Sequence, residues 1–196
     1  MKMGRRSNAL RGVSFLAIFS VGIFTSCATT DGVYHDQNMD FAAVQSVAVM
    51  PFVNLTGDRM AGERVRDVFM TMLLSTSGIY VLPPGEVARG VSKAGIANPA
   101  APSPDEIKIL PSVIKADAVI TGVVREYGEV RSGTTSSNVI SVSLQMIETK
   151  TGKIVWTASS TKGGISAWDR LFGGGGKPLN DVTEDAINEL IDKLFK

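Results

Sequence analysis

Ser46–Asp58 reads SVAVMPFVNLTGD, and its two halves ask for different structures. Ser46–Val53 is apolar nearly throughout, rich in Val and ended by turn residues. That is the composition of a strand buried on both faces. Asn54–Asp58 is a turn in which Thr56 or Asp58 can cap a helix. The helix is expected from about Arg59 to Thr76. There Val65, Val68, Phe69, Met72 and Leu73 fall at i, i+3, i+4, i+7 and i+8, while Glu63, Arg64, Arg66 and Asp67 lie mostly off that stripe. Gly78 is a natural stop. A buried strand followed by an amphipathic helix is how a parallel sheet begins.

Downstream, Ile79–Leu82 (IYVL) is a short strand closed by Pro83 and Pro84, and Pro84 suits the first turn of a helix that Gly95 ends. Ser103, Pro104 and Glu106 form a helix start, with a Ser cap, Pro at the first position and Glu three after the cap. This helix reaches about Lys115, and Pro111 kinks or divides it. Asp117–Arg131 begins apolar and turns polar, as a strand does on leaving a core. Ser132–Ser137 (SGTTSS) is a hairpin loop. In Val139–Ile147, Ile140, Val142, Leu144 and Met146 alternate with Ser141, Ser143 and Gln145, a half-buried antiparallel strand. Lys150-Thr151-Gly152 turns the chain into the strand Lys153–Thr161. A glycine-rich loop, Gly163–Lys177, carries Trp168, Leu171 and Phe172. The last helix spans Asp181–Phe195, with Asp181 and Glu184 as a capping box and Val182, Ala186, Ile187, Leu190, Ile191 and Leu194 as its stripe. The prediction is one α/β (mixed α+β) domain over 46–196, with order β-α-β-α-α-β-β-β-α and helices packed on a mixed sheet.

Upstream, residues 1–12 carry Lys2, Arg5, Arg6 and Arg11 and no acid, and Val13–Phe24 carries no charge. A basic segment, a short apolar segment and small residues before a break make a secretory signal. About 12 apolar residues at ~1.5 Å each reach ~18 Å, short of the ~30 Å hydrocarbon core, so a retained transmembrane helix is not expected. Thr25-Ser26-Cys27 marks a lipoprotein signal, although Phe24 stands where an aliphatic residue is usual. Residues 1–26 are the expected signal peptide. Residues 27–45 are the lipidated Cys27 and a flexible tether, in which His35 is a solvated linker residue. Cys27 is the only cysteine, which excludes an intramolecular disulfide. Ala28, in place of Asp, favours the outer membrane of a Gram-negative envelope.

Without residues 1–26 the chain keeps 16 basic and 19 acidic residues, near neutrality. A nucleic-acid partner would call for a basic surface, so none is expected. Leu171–Pro178 (LFGGGGKP) is not a phosphate loop, because Leu171 stands where the first Gly is needed and Pro178 where Ser or Thr is needed. His35 and Cys27 lie in the tether or at the anchor, no cluster has metal-ligand spacing, and Asp117 opens a strand as a structural carboxylate. No catalytic residue, metal or cofactor is expected. Large apolar residues in a glycine-rich loop make Trp168, Leu171 and Phe172 candidates for contact with a partner, a second subunit or the lipid surface.

The phrases VAVMPFVNLTGD (Val47–Asp58), KADAVITGVVREYG (Lys115–Gly128) and IETKTGKIVWTAS (Ile147–Ser159) occur in that order and spacing. Together they resemble the superfamily of bacterial envelope lipoproteins related to CsgG, PelC, LpoB and the N-terminal domain of TolB. The resemblance covers most of Ser46–Phe195. It implies a periplasmic CsgG-like domain without enzymatic activity, serving export or envelope assembly and associating with copies of itself. CsgG itself crosses the membrane through extra β-hairpins, and here only Gly128–Val139, short and polar, could supply one. The alternative is a monomeric, tethered regulator of a peptidoglycan synthase, like LpoB. Such a regulator would need a leash across the periplasm, and Ala28–Asp40 reaches at most about 45 Å.

Overall fold

The computed structural model describes residues 32–76, 78–133, 135–164 and 176–195. The chain divides into Met1–Thr30 and Asp31–Lys196, and all described residues belong to the second unit. Cys27, the signal segment, Trp168, Leu171 and Phe172 lie outside them.

The mixed α+β fold expected from the sequence is the one observed, with seven strands in one sheet and four α-helices among the described residues. The strands are β1 (Val33–His35), β2 (Ser46–Val49), β3 (Val53–Asn54), β4 (Tyr80–Val81), β5 (Ala118–Ser132), β6 (Thr135–Glu148) and β7 (Ile154–Gly163). The helices are α1 (Ala61–Ser75), α2 (Pro84–Ala94), α3 (Pro104–Ile109) and α4 (Leu179–Leu194). The sheet order is β1-β7-β6-β5-β2-β4, with β3 added alongside β5. β2 runs parallel to β4 and β5, whereas β5, β6, β7 and β1 form an antiparallel series.

The buried side chains explain the two kinds of strand. Val47 and Val49 join the cluster under α1 and α4, while Ala48 and Met50 join the cluster under α2 and α3. A central parallel strand is covered on both faces and therefore reads as continuously apolar. β6 is covered mainly on one face, with Ile147 at its end joining the second cluster. Ile140, Val142, Leu144 and Met146 all enter the first cluster, and the intervening Ser143 and Gln145 stay half-buried.

Four local expectations differ from the structure. The run Ser46–Val53 is split, because Pro51 has no N–H to give to a ladder. Between the pairs Val49↔Ile120 and Val53↔Val123 it uses one residue more than β5 does. The tether expected over 27–45 is structured from within: Val33–His35 pairs antiparallel with β7, placing His35 opposite Trp156. Alternation over three residues was too short a signal to read. The loop expected over Ser132–Ser137 is shorter, since Ser132 already pairs with Thr135. The Asp181–Glu184 capping box does not form. α4 begins at Leu179, ahead of Asp181, and Glu184 instead accepts from the Asn180 side chain at 2.6 Å. The other helix signals read as expected. Ser103 and Glu106 form a complete capping box, and Gly95 ends α2 in the left-handed region with φ 70°. At α1, Asp58 bonds the Met60 N–H at 2.8 Å, just before the helix.

The turn out of β7 depends on Gly163. Its φ is +81°, and a Cβ there would collide with the Asn138 carbonyl oxygen and press on Val182. Both obstacles belong to packed elements, so neither can yield cheaply. Gly163→Ala is expected to cost about 2–4 kcal/mol from left-handed strain and overpacking. A urea unfolding curve would show a lower midpoint at an unchanged slope.

Candidate functional site

Two polar clusters hold the sheet and its flanking helix rather than offering chemistry. Asp117 stands immediately before β5. Its Oδ2 accepts from the Gln45 N–H, the Ser46 N–H and the Ser46 hydroxyl at 3.1, 3.0 and 2.8 Å. Burial pushes this carboxyl up, but those bonds and nearby Lys150 outweigh it and leave its pKa below the ordinary value. The carboxylate thus ties Gln45 and Ser46, at the entry to β2, to the entry of β5.

The second cluster joins α4 to β7. Glu189 takes Lys162 and Lys193 as ion partners and the Ser160 hydroxyl at 2.9 Å. Burial pushes its pKa up, but the bonds from Lys162, Lys193 and Ser160 outweigh this and bring it down to about 2. A folded value below the unfolded one of ~4.3 gives stabilisation that is complete above pH ~4.3. It is lost as the pH falls toward 2. Glu189→Gln is expected to cost about 1–2 kcal/mol at pH 7. In thermal unfolding, the variant's difference from wild type should hold from pH 6 to about 4.3 and shrink from there down to pH 2.

The surface best shaped to receive something is a groove of about 620 Å³ lined by His35, Asp36, Gln37, Met39, Phe41, Ala42, Val44, Gly78, Ile79, Leu194 and Phe195. The segment after β1 crosses one end of the sheet here. A short 3-10 turn, Phe41–Ala43, is capped by Asp40, whose Oδ1 accepts from the Ala42 N–H at 3.0 Å. Met39 and Phe41 pack onto the main cluster, and Phe195 stands about half exposed at the rim. His35 lies edge-on to Phe41 at 5.5 Å between ring centroids, and its Nε2 is buried without a hydrogen-bond partner. A volume in this range suits ligand or peptide recognition.

The opposite end of the sheet carries an arm. β6 leaves β7 at the pair Val139↔Gly163, whereas β5 and β6 pair on to Ser132↔Thr135. Each arm strand is about five residues long, against roughly 9–11 for a membrane-spanning strand. Beside it a cleft of about 500 Å³ is lined by Leu55, Thr56, Gly57, Asp58 and residues 125–130 with Val139. Leu55, in the turn after β3, is 65 % exposed and Val130, on the arm, 38 %, so the cleft is rimmed by apolar surface as well as charge.

Among the described residues, no group of His, Cys, Asp or Glu could hold a metal ion, and no helix is long and apolar enough to cross a membrane. Of the residues singled out from the sequence, Asp117 is placed as a clamp. Cys27, Trp168, Leu171 and Phe172 lie outside the described residues. The groove residues Met39, Phe41, Ile79 and Phe195 escaped the sequence reading because they come from three separated segments, none with a long repeat.

Comparison with known proteins locates the fold. The GNA1162-like lipoprotein family matches residues 37–193. In three dimensions the chain is similar to the lipoprotein GNA1162 of Neisseria meningitidis at 21% identity, covering 77% of this chain and 98% of that one with a TM-score of 0.56. It is also similar to a PelC dodecamer from Paraburkholderia phytofirmans, a point variant, at 20% identity, with 83% and 97% covered and a TM-score of 0.54. A second PelC dodecamer from that organism gives 18% identity, 83% and 94% covered and a TM-score of 0.53. No curated protein is significantly similar in sequence. The matched span takes in every helix and all strands but β1, and by it the chain belongs to the GNA1162-like family of lipoproteins.

Proposed function

We propose that this protein is anchored in the outer membrane through acylated Cys27, with its domain on the periplasmic side. There it serves, without catalysis and as an oligomer, as an accessory of an export or envelope-assembly system. The observation that carries this reading is the length of the leash. Among the described residues the sheet begins at Val33, and the five residues of Ala28–Gly32 that separate it from Cys27 in sequence can reach at most about 17 Å. A domain held that closely works at the membrane surface. A regulator acting across the periplasm would need a far longer tether, so the synthase-regulator alternative loses ground.

Self-association draws support from the exposed Val130 of the arm and from Leu55 in the turn beside it. PelC, which shares the fold, is a dodecamer. Trp168, Leu171 and Phe172 supply a further contact with a neighbouring subunit, a partner or lipid. Trp168→Ala is expected to weaken membrane retention or lower the oligomer mass, and a variant unchanged in both would remove this loop from the proposal. Density-gradient separation of the two membranes tests the location. The protein should sediment with the outer membrane, and recovery with the inner membrane would overturn the placement.

A further inference from the structure

The carboxyl ends of β2 and β4 hold a small crevice that the lipoprotein role does not use. It measures about 180 Å³ and is lined by Pro51, Arg66, Pro84, Val87, Ala88, Val91 and Pro99. It lies between α1, which covers one face of the sheet, and α2, which covers the other. The carboxyl ends of parallel strands, where connections leave to opposite faces, are where open α/β sheets keep their ligands. Every lining residue but Arg66 is apolar.

Arg66 is half-buried. Its Nε and Nη2 both donate to one acceptor, the Val49 carbonyl, at 3.2 and 2.7 Å. That uses one side of the guanidinium fork and leaves its end, formed by Nη1 and the second N–H of Nη2, open for two parallel bonds. No carboxylate forms an ion pair with it among the described residues. Burial lowers its pKa, and Glu63 and Asp67 oppose this only through longer-range attraction. A cation withdrawn from water, with donors to spare beside an apolar hole, is matched by a planar anion on an apolar body.

We infer that this crevice binds a carboxylate carried on an apolar group the size of one side chain, with Arg66 gripping the carboxylate end-on and Val87, Ala88 and Val91 receiving the apolar part. That chemistry is shared by a small branched-chain acid and by the C-terminal residue of a polypeptide. The inference goes beyond the envelope role and stands whether or not Cys27 is acylated.

The test uses the full chain in detergent micelles and four probes: N-acetyl-leucine, its neutral amide, a five-residue peptide ending in a leucine carboxylate, and that peptide amidated. Saturation-transfer NMR and titration read the affinity. The acids should bind at least tenfold more tightly than the amides. Arg66→Gln should abolish that difference, and Ala88→Trp, a change at an exposed position, should block binding of both by filling the hole. Circular dichroism melting of both variants verifies that they are folded. A peptide acid at least tenfold tighter than N-acetyl-leucine identifies a polypeptide terminus as the ligand, and equal affinities identify a small acid. Equal binding of acids and amides, no binding of any probe, or full binding by folded Arg66→Gln would overturn the inference.

Discussion

Trp156→Ala is expected to lose about 3–5 kcal/mol of stability, most of what a domain of this size has to spare. The indole is fully buried in the main cluster, at the centre of the β7 face that α4 covers. Its Nε1 donates to the Lys193 carbonyl at 3.1 Å, near the end of α4. Truncation would open a cavity between strand and helix and leave that carbonyl without its donor. Both effects act on α4, which has no side-chain cap at its start. Unfolding monitored by circular dichroism should shift to a much lower urea midpoint. Trp156→Phe keeps most of the volume and loses only the hydrogen bond, so it should recover more than half of the loss. Equal damage from both variants would show that packing is not what Trp156 contributes.

Cys27→Ser is expected to release nearly all of the protein from the membrane into the soluble fraction. One acyl chain gives only marginal binding, whereas several give stable anchoring. The described residues contribute no membrane-crossing helix that could take over. Because the leash is so short, the same substitution should also dissolve any assembly that depends on holding domains side by side at the surface. Fractionation of cells expressing wild type and Cys27→Ser, followed by immunoblotting, checks the first effect. Metabolic labelling with a palmitate analogue checks that the acyl group is present on wild type alone. A serine variant that stays with the membrane would mean that another part of the chain holds it there.

Much of the fold was legible because its signals are local or periodic. Pro84 and Gly95 bracket α2 as expected, the Ser103–Glu106 capping box forms, and the α4 stripe is buried at each of its six positions. The alternation in β6 marked its core face because Ile140, Val142, Leu144 and Met146 all enter the main cluster, although Ser141 between them is buried as well. The misses share a different cause. β1 has three residues and β3 two, and such strands exist only because a long neighbour, β7 or β5, offers them an edge. Nothing inside VYH announces that partner. The capping box at Asp181 failed because Pro178 and Leu179 start the helix earlier. Asp117 reads as a plain strand opener until Gln45 and Ser46, distant in sequence, bring their donors to it. Arg66 illustrates the same limit. The sequence placed it only off the α1 stripe, and the fold shows that its guanidinium turns back to Val49.

Light scattering on the detergent-extracted, acylated protein, beside a soluble version beginning at Ala28, measures the central proposal most directly. A discrete species of several subunits in the acylated form is the expected result, and it would make the hairpin arm and Trp168 the next residues to vary. A monomer in both forms would contradict self-assembly and leave a short-leashed protein that acts only through another envelope component.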